Sequence, residues 1–245
     1  FRVLARKYRP QNFQEIVGQE TLVETFKNAI QHGRLAHSFL LTGIRGVGKT
    51  TTARILAKKL NNIDDISSSF DILEMDAASN RGIDEITALI EDIRFRPLHA
   101  DKKFIIIDEA HQLTAAAVNA LLKVVEEPPS FVCFVFCTTS SPVVTNTKTS
   151  QAFATLSSRC MAFSFKRLSS DAILTKLANI CTNEGKKAEK DVLLSIIDRA
   201  DGSLRDAENI LDALLTINDR LLARNLDQLY GNAPEHALSL LDCLK

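Results

Sequence analysis

The 245-residue sequence has no surplus of either charge: Lys and Arg number 30, and so do Asp and Glu. That balance removes the overall field by which a basic chain gathers nucleic acid or an anionic membrane surface. Paired cysteines are missing too. The five present, at positions 133, 137, 160, 181 and 243, are odd in number and lack C-x-x-C spacing, which argues against a secreted disulfide framework and for a reducing cytoplasm. Cys133 and Cys137 share one apolar run and read as small core residues rather than metal ligands. The pattern contains no secretory signal and no apolar run of membrane-spanning length, so no membrane partner is expected. It contains no solenoid-type repeat either. What remains, 45% apolar and 24% charged, is ordinary globular material sufficient for a sizeable core. The chain starts at Phe1 rather than Met and stops in mid-pattern at Lys245, which reads as a piece of a longer protein.

One stretch organises the rest. Gly43-Ile44-Arg45-Gly46-Val47-Gly48-Lys49-Thr50 has the spacing G-x-x-x-x-G-K-[ST]. The apolar Ser38-Phe39-Leu40-Leu41 before it suits a buried parallel strand, and from Thr51 to Leu60 apolar residues recur at helical intervals. A glycine-rich turn that matched by accident would not need both flanks. Glycines let backbone N–H groups close around phosphates, and the helix end adds partial positive charge. Gly43, Gly46, Val47, Gly48, Lys49, Thr50 and Thr51 are therefore the candidate nucleotide-binding set. Lys49 is expected to reach the β- and γ-phosphates and Thr50 to offer its hydroxyl to Mg2+.

Downstream, Phe70 to Met75 reads as a second strand, and Ile83, Ile86, Leu89, Ile90 and Ile93 make a helical stripe that stops before Pro97. The order strand, helix, strand, helix predicts an α/β fold, a parallel sheet with helices on both faces. A third strand, Phe104-Ile105-Ile106-Ile107-Asp108-Glu109, would carry two carboxylates to the C-terminal edge of that sheet, where ligands of such folds bind. Asp108 is the candidate Mg2+ ligand, directly or through water, and Glu109 the candidate for orienting the attacking water. His111 reads as a structural or coupling residue, since Glu109 fills the water-activating position. Thr114 is placed to cap a helix that Pro128-Pro129 ends. Phe131 to Cys137 reads as a central strand finishing at Thr138-Thr139, where a hydroxyl either senses the γ-phosphate or merely forms a turn.

Other segments are read from polarity and period. Phe1 to Pro10 carries four basic residues and reads as a solvated segment before a nucleic-acid patch. Residues 61–69 read as a surface connection and Ser140 to Thr155, rich in Ser, Thr, Asn and Gln, as a mobile surface loop. Arg159 follows as one exposed arginine. From Leu168 the pattern is helical only: one helix from about Asp171 to Thr182, a second with Val192, Leu193, Ile196 and Ile197, and a third begun by an approximate capping box of Ser203 and Asp206 that sets Arg205 in its first turn. The expected division is 1–167, 168–220 and 221–245, the last being the start of a further helical domain.

These motifs together resemble the AAA+ clamp-loader ATPases of the bacterial DNA polymerase III holoenzyme, a nucleotidyltransferase assembly. The likeness is carried by residues 5–10, Val17-Gly18-Gln19-Glu20, 43–50, 73–79, Ile107-Asp108-Glu109-Ala110-His111, Glu126-Glu127-Pro128-Pro129, Ser158-Arg159-Cys160 and 201–207, which span nearly the whole chain. It implies an AAA+ α/β domain followed by a lid and a collar-like helical start. It also implies roles that spacing did not: Arg159 as a finger acting on ATP in a neighbouring subunit, Arg205 as a second sensor, Thr139 as the first sensor, and Tyr8, Arg9, Pro10, Val17 and Gly18 around the adenine. The implied function is ATP-driven loading of a sliding clamp onto primed DNA within a five-subunit arc. Two departures stand out. The family's four zinc cysteines after the loop helix have no counterpart in residues 61–70, so no zinc is expected, and residues 140–155 exceed the family's usual connection. A scaffold subunit without productive turnover and a branch-migration motor are the alternative functions.

Overall fold

Runs of consecutive apolar residues become strands covered on both faces. A computed structural model describes residues 3–33, 35–63, 65–66, 69–139, 147–217 and 220–221. They form two units, one from residues 10–167 and the other from the described parts of 1–9 and of the chain from Leu168 on. The first unit holds β1 (Ser38–Thr42), β2 (Ile72–Asp76), β3 (Lys103–Asp108), β4 (Val132–Thr138) and β5 (Met161–Ser164), all parallel, in the order β2-β3-β4-β1-β5.

Strand alternation divides the apolar residues into two cores. Phe39 and Leu41, Phe104 and Ile106, and Cys133, Val135 and Cys137 face one side. They meet Leu22, Val23 and Phe26 of α2 (Glu20–Gln31) and Ala53, Ile55 and Leu56 of α3 (Lys49–Asn61). Leu40, Ile105, Ile107, Phe134 and Phe136 face the other, under α4 (Ile83–Ile93), α5 (Ala115–Glu126) and α6 (Lys148–Ser157). The rings of Phe39, Phe104, Phe134 and Phe136 are fully buried, each stabilising the fold by about 2–3 kcal/mol. Phe26 packs against Phe163 with centroids 4.5 Å apart and against Phe39 at 5.7 Å, which fixes α2 across β1 and β5.

α6 corrects the loop expected from Ser140 to Thr155, whose first seven residues lie outside the described set. Thr147 caps the helix by accepting from Ser150 N–H, and Ala152, Phe153 and Leu156 are buried against the second core. Three apolar residues at helical spacing suffice to anchor ten, and the polar majority hid them.

The second unit contains α7 (Ser170–Asn183), α8 (Lys190–Ala200) and α9 (Leu204–Ile217) around Ile173, Leu177, Val192, Ile196, Leu211 and Leu214. Ser203 accepts from Asp206 N–H at the start of α9. Two differences from expectation appear. A two-residue parallel pairing links Lys187–Ala188 with Arg220–Leu221. In addition, residues 3–9 group here and not with the sheet, because Leu4 in the short α1 (Leu4–Lys7) is buried in this core and its N–H bonds Asp212 Oδ2. The expected helices of 222–245 lie outside the described residues. Among the described residues, no helix is long and apolar enough to cross a membrane.

A buried carboxylate organises the segment entering β3. Asp71 is 2% exposed and accepts backbone N–H groups from Leu98, His99 and Ala100 at 2.7, 2.9 and 2.9 Å. Burial alone would favour its protonation, but the three N–H donors outweigh this and hold its pKa below the ordinary value. Its contribution is therefore complete above its unfolded value, near 4, and is lost as pH falls through the lower folded value. Asp71→Ala should destabilise the protein by about 3 kcal/mol at pH 7 by orphaning these donors, and urea titrations repeated at falling pH should show the gap from wild type closing in acid.

Candidate functional site

The phosphate loop leaves β1 at Gly43 and enters α3 at Lys49. Gly43 has φ 142°, and a Cβ there would lie 2.7 Å from Phe165 O, so the loop can pass this close only as glycine. Gly48 caps α3 at φ 103°, in the left-handed region that glycine enters without strain. Lys49 is buried and donates to Gly43 O at 2.7 Å and Ile44 O at 2.8 Å. Burial lowers its pKa, opposed by the charges of Glu109 and Asp108 among others. The ammonium is thus satisfied by the loop's own carbonyls, at the place where it would meet phosphate oxygens.

β4 lies between β1 and β3, which brings three strand ends together. Thr50 Oγ1 donates to Asp108 Oδ2 at 2.7 Å, joining the loop helix to β3. Asp108 Oδ1 accepts Glu109 N–H at 3.0 Å, and Glu109 takes a left-handed backbone at φ 49°. For a residue with a side chain this conformation costs about 1 kcal/mol or more. Glu109 Oε2 lies 3.5 Å from Thr139 Oγ1 and 3.5 Å from His111 Nδ1, which is 3.0 Å from Thr138 Oγ1. Beneath them burial pushes the Cys137 thiol well above its usual pKa, with Asp108 adding to the effect.

Sequence comparison gives this geometry a family. A model described as DNA polymerase III, delta subunit, matches residues 18–70 and 63–169. The gamma subunit of DNA polymerase III from Buchnera aphidicola subsp. Acyrthosiphon pisum is 34% identical, over 98% of this chain and 69% of its own length. The chain belongs to the gamma/tau family of DNA polymerase III subunits. Other gamma/tau relatives are longer: the Mycoplasma genitalium gamma/tau subunit is 40% identical over 89% of this chain, and the Bacillus subtilis tau subunit 36% identical over 91%. The chain spans 38% and 41% of their respective lengths. Among solved structures, the Thermotoga maritima RuvB Holliday junction branch migration motor superposes with a TM-score of 0.67 at 20% identity. That superposition covers 90% of this chain and 71% of RuvB, a likeness of fold within the AAA+ α/β architecture.

The other residues singled out in this gamma/tau chain fall in three places. Val47 is buried within the loop and Thr51 half-buried just inside α3, while Gly46 has φ 79°. Val17 and Gly18 precede α2 and Pro10 opens the same unit, where Gln19, which pattern reading had not marked as functional, is buried and exchanges hydrogen bonds with Lys166 N–H and C=O. Tyr8, Arg9 and Arg205 belong to the helical unit. Tyr8 donates to Glu184 Oε1, and burial together with that carboxylate raises its pKa to about 12.

Arg159 lies at the opposite edge of the sheet from the phosphate loop. α5 leaves the end of β3 and runs back to the start of β4, a rise of about 18 Å over its 12 residues. α6 makes the same return to β5. At that far edge Arg159 Nε donates to Glu126 Oε1 at 2.6 Å and Nη1 to Thr155 O at 2.7 Å. Glu126 carried no sign of this role beyond its charge. For metals, the oxygens of Thr50 and Asp108 suit a hard cation such as Mg2+. Among the described residues, no cluster of three or more His, Cys, Asp or Glu side chains could hold a metal ion.

One turn beyond Arg205, Glu208 is 5% exposed, and burial pushes its pKa up to about 7, with the Lys176 and Arg205 charges acting the other way. A raised carboxyl favours the folded state while protonated, so this contribution is present in acid and is lost between about pH 4.5 and pH 7. Glu208→Gln should remove that slope and leave the variant more stable than wild type at pH 8 by up to about 3 kcal/mol, as read by urea denaturation across pH.

Proposed function

We propose that this chain is an ATP-binding and ATP-hydrolysing clamp-loader subunit that uses the nucleotide to load a ring-shaped sliding clamp onto primed DNA within a five-subunit arc. The observation that carries this reading is the gathering of Lys49, Thr50, Asp108 and Glu109 at one sheet edge in a gamma/tau chain. Lys49 exchanges its loop carbonyls for the β- and γ-phosphates. Thr50 and Asp108 would hold Mg2+, which would supply positive charge to offset that of the phosphates. Glu109 orients the attacking water and Thr139 senses the γ-phosphate beside it. Val17, Gly18, Pro10, Tyr8 and Arg9 contribute to adenine recognition and Arg205 acts as second sensor, both on the strength of the family resemblance.

Arg159 serves a neighbouring subunit. Its place at the far edge, about 20 Å from the strand ends of its own sheet, supports action on another chain's ATP rather than on its own. Hydrolysis then releases clamp and DNA. A branch-migration motor would use the same ATP site, but its support is the fold likeness to RuvB, whereas the likeness to gamma/tau subunits runs through sequence as well. A scaffold without turnover would not need every hydrolytic position filled.

In the full-length protein assembled with its partners, Lys49→Ala should abolish ATP binding and clamp loading; intact loading by a complex carrying only that variant would refute the mechanism. Arg159→Ala should leave ATP binding at its own loop unchanged and slow hydrolysis at the adjacent subunit by about 1,000-fold or more, the lower end for an arginine finger. Mixed complexes of the two variants separate the sites, and an Arg159 effect confined to its own chain's ATP would contradict the assignment. ATPase assays with and without clamp and primed DNA distinguish a loader, which they stimulate, from a scaffold, which they do not.

A further inference from the structure

Donors and acceptors behind Glu109 can be assigned one by one. Gln112 Nε2 lies 3.0 Å from His111 Nε2. A side-chain amide nitrogen only donates, so His111 Nε2 is the acceptor and the ring proton sits on Nδ1. Nδ1 therefore donates to Thr138 Oγ1 at 3.0 Å and lies 3.5 Å from Glu109 Oε2. Thr139 Oγ1 approaches the same Oε2 at 3.5 Å. The mount is rigid: Ala110–Gln112 form a 3-10 turn with Gln112 N–H bonded to Glu109 O, and Ala110 and Leu113 are both buried.

We infer that His111 is a positioning residue whose ring, oriented by Gln112 and Thr138, fixes the rotation of the Glu109 carboxylate for the attacking water. Thr139 Oγ1 donates to Oε2 and His111 Nδ1 stands 3.5 Å from it, which leaves Oε1 to face that water, and the left-handed backbone of Glu109 sets where the side chain begins. Contacts of this length tighten when substrate fills a site. The inference rests on the ATPase reading above and adds to it the residue that aims the base. It also gives a reason for a histidine three residues after Asp108, where a second base would be redundant.

The test uses the full-length subunit in its assembled complex, with ATP turnover at saturation, ATP affinity and melting temperature measured together. His111→Phe fills the space without a donor, whereas His111→Asn places an amide N–H near the position of Nδ1. The Phe variant should lose about 10- to 100-fold in turnover, the range for a residue supporting a catalytic group, with ATP affinity within about twofold of wild type. The Asn variant should recover to within about threefold, and in a Glu109→Gln background His111→Phe should cost less than about twofold more. Wild-type turnover in the Phe variant, equal losses in both variants, or full additivity with Glu109→Gln would each overturn the role. Nitrogen-15 NMR of the histidine ring in the nucleotide-free protein needs no substitution: Nδ1 protonation is expected, and Nε2 protonation would contradict the proposal. Lys49→Ala keeps the two levels apart. Residual hydrolysis in it refutes the ATPase reading, while its silence beside a fully active Phe variant refutes only the role of His111.

Discussion

The site depends on strand direction. In an all-parallel sheet every strand delivers its last residue to the same edge, so Gly43, Asp108 and Thr138 meet although 95 residues separate the first from the last along the chain. Strand order then decides which ends are neighbours. β4 stands between β1 and β3, so the hydroxyls of Thr138 and Thr139 fall between phosphate loop and carboxylates, and Cys137 is enclosed below them. The hydrogen bond from Thr50 to Asp108 spans the gap between loop helix and third strand. Without the crossover helices that return each strand to the starting edge, none of these groups would share a site.

Features governed by local rules were legible in the sequence. Glycine spacing, the apolar run before Asp108, the Thr114 cap and the Ser203 cap each need only neighbouring residues to be recognised, and the structure contains each of them. β1, β3 and β4 were legible for a related reason: residues buried on both faces lose the alternation of an exposed sheet and become continuous apolar runs. Features that depend on distant partners were not. α6 buries three apolar residues among polar ones, and the surface that receives them belongs to β4 and α5. The Leu4–Lys7 helix looks like a solvated basic segment until Asp212 and Glu184, about 180 to 210 positions later, supply its partners. Asp71 resembles any strand-entry acid until Leu98, His99 and Ala100 turn their N–H groups toward it.

The candidate site divides along the same line. Lys49, Thr50, Asp108 and Glu109 could be named from spacing, because phosphate and metal chemistry prescribes residue types. The partners of Lys166, Arg159 and His111 could not. Gln19, Glu126, Thr138 and Gln112 act through hydrogen bonds whose partners are set by the tertiary fold, and a Gln or a Thr carries no pattern of its own.

The two edges of the sheet complete the argument. Under the proposed function, a protein whose hydrolytic groups sit at one edge and whose candidate finger sits at the other, roughly a strand length away, would be half of two sites rather than the whole of one. Arg159 is already held for such a role: Glu126 and the Thr155 carbonyl take its guanidinium from two sides at the end of α6, which limits its rotamers without burying it. An exposed ion pair of this kind adds little stability, about 1 kcal/mol or less, so its use lies in orientation. Glu126 can yield the guanidinium at small cost to a phosphate, which offers the same bidentate geometry with more charge. The weakness of the pair in the single chain would therefore suit it to the proposed site, completed by a neighbouring subunit.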